Sequence, residues 1–395
     1  MGAERRSSWQ LAATGVLLAI VVTVAPDGVS AAIRNPCTPV ARSISASDQN
    51  DTLQCWAIAV ASKFDLEASA VAGRPLKLSP RYLFYVNTLL EVADTIVDGK
   101  LQPFKAVLSD STKAETIYYE HYEQGADLAG AVQATVRGGA MPYAAYPGFP
   151  KNDLRLFRAL NRLMGQYQRD RKLPRKREIV EARVRSILNR YIGKPPGDFR
   201  AMSPALASGN GNSAASAGVV RYDPLQFRRS FLPSLDRTQA IELSYEAGKP
   251  LTRQLVAGFN GRSYLNYVSG DRKLILAILE AAMRMKTAVL VSYSFVSEAH
   301  VSDTRIGFKV HGIGSRKRRQ LIAEKQFGHY VLALEGRFDK RGKLNRLLVK
   351  NTFGAAGRDK AGFNWMEADY LDLIDGVEVP DSLWPDLVAK GLLPL

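Results

Sequence analysis

Apolar and polar positions alternate along this chain with two different periods. "CWAIAVASKF" (Cys55 to Phe64) carries apolar residues at helical spacing and follows the polar loop "DQNDTLQ". "LSPRYLFYVNTLLEVADTI" opens with Ser79 as an N-cap and Pro80 at the first helical position, a strong start signal. "DLAGAVQATVRGGAMPY" predicts a helix ending at Gly138-Gly139, and "YPGFPKN" then reads as a turn. From about Lys151 the pattern becomes a basic, Leu/Arg-rich helical region that ends near "IGKPPGDF". "SPALASGNGNSAASAG" (Ser203 to Gly218) has the composition of a surface loop, and "DRKLILAILEAAMRMK" that of an amphipathic helix. The period then changes to two. "TAVLVSYSFV", "GHYVLALEGRF" and "NRLLVKNTFG" have the β-branched and alternating character of strands.

Helices early and antiparallel strands late predict an α+β fold with a helical insertion between them. The expected divisions are a leader over 1–31, a helical lobe over 32–150, a helical insertion over 151–286 and a β-rich lobe over 287–395. In the leader, Arg5 and Arg6 precede the uncharged run Leu11 to Ala25, and "VSA" (Val29 to Ala31) offers a small-residue cleavage site. The run is shorter than the ~20 residues of a spanning helix, so export with cleavage is the expectation and an N-terminal anchor the alternative.

The chain has 395 residues, 46% of them hydrophobic, and a formal net charge of +16. That length supports a buried core without disulfide staples. Its two cysteines, Cys37 and Cys55, are too few for a disulfide framework or a zinc site, although a single bridge between them stays open. The basic residues gather in Gln168 to Arg190 and in "SRKRR" (Ser315 to Arg319). Each reads as a solvated face first and as a contact for an anionic surface or nucleic acid second. His300 and His311 fall in a loop ahead of His329 and read as exposed; no metal-ligand set converges on them.

The chemistry centres on Cys55. A thiol at a helix start is made more acidic by unpaired N–H groups and by the helix dipole. Acyl transfer also needs donors for the developing oxyanion, which the Cys55 N–H and the upstream amide of Gln49 would supply. His329 opens an apolar strand, and Asn351 closes the next one, 22 residues later. A hairpin of that length brings the two together, so that Asn351 holds the ring while His329 exchanges a proton with the thiol.

Gln–x5–Cys–Trp, then His on a strand, then Asn followed by an aromatic residue and Gly, resembles the papain-like cysteine peptidases, and within them the bleomycin hydrolase/aminopeptidase C branch. "LSPRYLFY", "GAMPYAAYP", "IGKPPGDF", "DPLQFRRSFL" and the run from "AGFNGRSYLNY" to "TAVLVSY" are similar to successive landmarks of that branch. The resemblance implies a two-lobe papain-like fold and peptide hydrolysis, aminopeptidase-like or with relaxed exo/endo preference, without metal or organic cofactor. It implies Cys55 as nucleophile, Gln49 in the oxyanion hole, His329 as general base and acid, and Asn351 as its orienting partner. Phe353 stands where the family has a tryptophan that shields the His–Asn bond. Gly125 and Ala126 stand at the paired glycines that offer backbone to substrate; Trp56, expected to pack behind the helix start, is grouped with them as a candidate substrate-binding residue.

Departures from the pattern are Leu53-Gln54 before the thiol, Ala126 for glycine, Tyr330 for a small residue, and "NTFG" for "NSWG". The chain also stops at Leu395, short of the family's closing arm, which predicts less restriction to free N-termini. Relatives bind nucleic acid and form rings, so anionic polymers and homo-oligomers are further expected partners. The competing class is a catalytically weak or inactive binding protein on the same scaffold.

Overall fold

The computed structural model describes residues 32–33, 35–49, 54–107, 114–117, 128–148, 154–204, 218–236, 241–257, 263–301, 304–324, 327–354 and 362–393. The apolar N-terminal run, His121, Gly125, Ala126 and most of the Ser203 to Gly218 loop lie outside them.

In chain order the first elements are β1 (Ala32–Ile33), α1 (Thr38–Ser43), α2 (Cys55–Ala72), α3 (Pro80–Val97), β2 (Phe104–Val107), β3 (Ala114–Ile117), α4 (Leu128–Gly138), α5 (Leu154–Arg169) and α6 (Arg177–Ile192). They are followed by β4 (Phe199–Met202), β5 (Val219–Tyr222), α7 (Pro224–Phe231), β6 (Ile241–Tyr245), β7 (Thr252–Ala257), β8 (Ser263–Ser269) and α8 (Arg272–Arg284). The last part holds β9 (Val289–Phe295), β10 (Arg305–Ile306), α9 (Ser315–Ala323), β11 (Phe327–Phe338), β12 (Leu344–Lys350), β13 (Phe363–Glu367), α10 (Ala368–Leu371), β14 (Ile374–Glu378) and α11 (Trp384–Ala389).

Two hydrophobic cores form. Helices α2 to α7 build the first, and it reaches the near face of the sheet through Leu290, Leu332 and Leu348. The second lies on the sheet's other face, under α8 and α10. Helix α2 is apolar nearly all round and is buried along most of its length, as such a helix must be. It ends at Gly73, whose φ of 64° supplies the left-handed cap. Helix α3 starts as its sequence predicts, with Ser79 Oγ accepting the Tyr82 N–H at 3.1 Å.

The main sheet runs in the order β10-β13-β12-β11-β9-β14-β6-β8-β7, with β1 added along β11. Strand β11 therefore sits inside the sheet, antiparallel to both β9 and β12. One expectation is corrected here. The stretch 151–286 is not wholly helical, because β6, β7 and β8 extend the main sheet through pairing of β6 with β14. Ile241 and Leu243 of β6 and Tyr267 of β8 lie in the second core, a demand set by the neighbouring strand rather than by local composition.

Candidate active site

Helix α2 begins at Cys55, and its start packs on β11. The Tyr330 backbone N–H, in the peptide that follows His329, donates to Cys55 Sγ at 3.4 Å. The Cys55 thiol and the backbone beside His329 thus come together, the bonded residues being 275 positions apart. Both cysteines are free thiols, so no bridge joins Cys37 to Cys55.

His329 is fully buried, and its Nε2 lies 2.9 Å from Asn351 Oδ1. The direction of that bond follows from the far end of the amide. Asn351 Nδ2 donates to Asn364 Oδ1 at 3.1 Å, which turns its oxygen toward the ring. An amide oxygen only accepts, so Nε2 carries the proton and Nδ1 is the basic nitrogen. Phe353 stacks on the imidazole at 4.6 Å with an interplanar angle of 2°. Phe295 at 5.4 Å and Tyr293 at 5.3 Å complete the aromatic surround. Phe353 therefore covers one face of the His329 ring. The glycine of "NTFG" has its own reason: Gly354 turns with φ 65°, and a side chain there would meet Asp48 Oδ2 at 2.9 Å.

Gln49 comes from the N-terminal side of the chain but is stitched to the β lobe. Its N–H donates to the Thr352 carbonyl at 2.9 Å, and its neighbour Asp48 bridges Phe353. Its Oε1 accepts the Thr352 hydroxyl at 2.6 Å, which directs the amide's donor end the other way. Nothing in the sequence signals this pairing, since 303 positions separate the two residues. Thr352 is the residue that sequence reasoning missed, although it stands inside the quoted "NTFG".

The structure corrects three further expectations. Trp56 is 2% exposed and belongs to the helical core, so it offers no face to a substrate; one helical step past Cys55 turns it inward. His300 is not an exposed loop residue. It is half-buried and stacked on Tyr293 at 5.7 Å, with Nε2 3.2 Å from the Tyr293 hydroxyl, because the loop folds back under the His329 surround. Finally, the helix start does not make the Cys55 thiol acidic. Burial pushes it up to about 11, against the lowering effect of the Tyr330, Trp56 and Cys55 backbone N–H groups. Desolvation of a thiolate at 5% exposure outweighs those dipoles.

Tyr330 occupies the side of β11 opposite His329. Its hydroxyl donates to Glu242 Oε1 at 2.8 Å, and Glu242 Oε2 accepts the Leu128 N–H at the start of α4 at 3.2 Å. In the sheet Glu242 is paired with Glu378, which forms an ion pair with Lys63 of α2. The two lobes are tied by polar groups close to the thiol. Among the described residues no group of His, Cys, Asp and Glu is placed to hold a metal ion.

Fold and site define the class: a two-lobe α+β protein of papain-like fold. No protein-family model and no curated protein matches the chain. Among solved structures, PepW from Lactobacillus rhamnosis aligns over 91% of this chain and 88% of that one, at 15% identity and a TM-score of 0.62. Xylellain, a cysteine protease from Xylella fastidiosa, aligns over 85% and 82% at 12% identity, and procathepsin L 3 of Tenebrio molitor over 90% and 71% at 12%. Their TM-scores of 0.37 and 0.36 leave PepW as the likeness that carries weight, and it speaks for the fold.

Proposed function

We propose that the protein is a cysteine peptidase that cleaves peptide bonds through a thioester acyl-enzyme. The observation that carries this reading is the fully buried His329–Asn351 pair, joined to Cys55 Sγ through the next residue's N–H. His329 Nδ1 takes the thiol proton, and the thiolate adds to the substrate carbonyl carbon. The Cys55 N–H and the Gln49 amide stabilise the oxyanion. The imidazolium then protonates the leaving amine as the carbon–nitrogen bond breaks, giving the thioester. In the second half His329 takes a proton from water, hydroxide adds to the thioester, and the acid leaves as the thiol is restored.

In this reading the preference is aminopeptidase-like with some internal cleavage, and the protein acts after export. The decisive assay is a library of free-amino and N-blocked peptides offered to the reduced protein. Cleavage abolished by Cys55→Ser supports the reading, and absence of cleavage from every peptide rejects it. Exclusive cleavage of free-amino peptides would remove the internal activity. N-terminal sequencing of the exported protein tests cleavage near Ala31, which an intact leader would contradict.

A second reading, a binding protein of little catalytic power, draws support from the thiol's burial and its rise to about 11. The +16 charge and the exposed basic residues of α9 make an anionic polymer its natural partner. Binding that falls steeply with salt while peptides stay intact would favour it over the peptidase. Self-association into rings is part of neither chemistry and is tested by solution mass.

A further inference from the structure

We propose that His300 is a positioning residue that takes up a proton ahead of His329 and, by its charge, holds His329 in the neutral, proton-accepting form in acid. The inference rests on the peptidase reading and adds to it the group that sets the acid end of its pH range.

The His329 surround contains a second imidazole. The His300 and His329 ring centroids are 6.4 Å apart, and the rings share three aromatic neighbours. Tyr293 lies 5.7 Å from His300 and 5.3 Å from His329, Phe295 4.5 and 5.4 Å, and Phe353 6.4 and 4.6 Å. Tyr370 of α10 adds a fourth ring beside His300, at 5.5 Å. The two imidazoles differ in access to water: His329 is fully buried, whereas His300 is half-buried on the loop after β9. His300 Nε2 is 3.2 Å from the Tyr293 hydroxyl, which can donate to the neutral ring and accept from the charged one.

The order of protonation follows from these surroundings. Burial disfavours a charged group, so the enclosed ring resists a proton more than the half-buried one. Glu298, exposed and two positions before His300, favours a cation on that turn. Among the described ring neighbours of His300 the titratable ones are Tyr293, Tyr370 and His329. The phenols stay neutral in acid, since tyrosine titrates near about 10 and burial pushes Tyr370 further up. His329 is therefore the group that feels the His300 charge as a change in its own titration.

That charge acts on the base of the proposed reaction. At an effective dielectric of about 20, two unit charges about 6 Å apart repel enough to move a titration by roughly two pH units. Water reaching the half-buried ring reduces this to roughly one to two. His329 must be neutral at Nδ1 to take the Cys55 proton, so a lowered midpoint keeps the base available further into acid. No covalent bond to carbon or sulfur forms or breaks at His300, which exchanges its proton with solvent.

The test titrates the wild type, His300→Phe and His300→Gln in two ways. The first follows the imidazole C–H signals of the four histidines by NMR, assigned with single-histidine variants that include His329→Phe. The His329 midpoint should be about one to two pH units higher in both His300 variants than in the wild type. The His300 midpoint should stay where it is in His329→Phe, because of two coupled groups only the second to charge is displaced. The second way measures kcat/KM against pH on a peptide that the wild type cleaves. The acid limb should move up by the same amount in both His300 variants, so that below it they are slower by about ten- to a hundredfold.

An unchanged His329 midpoint in both His300 variants would overturn the proposal. So would a His300 midpoint that rises in His329→Phe, since His329 would then be the first to charge. A profile lowered throughout with its acid limb in place would reduce His300 to packing and overturn it as well. A wild type that cleaves no peptide defeats the peptidase reading itself, and the NMR midpoints then still decide whether the two rings are coupled.

Discussion

The helical side and the sheet side of the candidate site hold Cys55 and His329 by different means. Cys55 sits at the head of an apolar helix, where the nearby polar help to its sulfur comes from backbone N–H groups, and burial leaves the thiol at about 11. His329 is held by side chains: Asn351 bonds it, Asn364 orients Asn351, and Phe353 stacks on the ring. Burial favours the neutral thiol, and in the peptidase reading its activation is the task left to the imidazole. The lesson is that the side-chain preorganisation lies in the β lobe, and the helix supplies a buried thiol that, in the peptidase reading, His329 must activate.

Breaking the helical side should have the largest effect. Cys55→Ser is expected to reduce peptide cleavage by more than ~10⁴-fold, measured as kcat/KM, because an alcohol there has neither the acidity nor the nucleophilicity of the thiol. Retained cleavage would mean that another group attacks. His329→Ala should lower kcat by roughly 10²–10⁴-fold. It should also expose the thiol's own titration. The raised value favours the neutral form, so alkylation of the variant should be slow at neutral pH and rise only toward about 11, while the wild type labels well below that. Equal profiles in both proteins would show that the ring does not activate the sulfur.

The comparison is sharpened by weaker changes on the sheet side. Asn351→Ala removes the acceptor of Nε2–H and should lower kcat by about ten- to a hundredfold, the cost of losing a charge-assisted hydrogen bond of ~1.5–3 kcal/mol. If cleavage is untouched, the ring is held by its aromatic surround alone. Phe353→Ala opens the stacked face of the ring to water. A drop in kcat of about tenfold or less is expected, along with ~1–3 kcal/mol of lost stability by denaturant titration. An activity loss as large as that of Asn351→Ala would make stacking the main support.

The smallest effect should come from Tyr330→Phe. It leaves the N–H on Cys55 in place but deprives Glu242 of one donor, for an expected ~1–3 kcal/mol of stability and little change in kcat. A change in which peptides are cleaved, at constant stability, would instead place the phenol in contact with substrate.

Some of this was legible before any coordinates. The starts of α2 and α3, the amphipathic α8, the strand carrying His329 and the strand that ends just before Asn351 follow from period, caps and β-branched runs, because those signals are local. The proximity of His329 to Asn351 was legible too, since the spacing of the two strands is visible along the chain. What misled was chemistry that depends on surroundings. The helix start suggested an acidic thiol, and desolvation reverses the sign. The loop around His300 read as solvent-facing, and the aromatic cluster draws it in.

Sequence by itself determined the α+β class and the hairpin spacing that joins His329 to Asn351. Tertiary structure alone decided that β6, β7 and β8 extend the main sheet, that Thr352 reaches Gln49 from across the chain, and that Trp56 faces the core. The division has a physical cause. Hydrophobic periodicity and capping act over a few residues, whereas strand partners, buried hydrogen bonds and the energy of a charge depend on groups that the fold brings from hundreds of positions away.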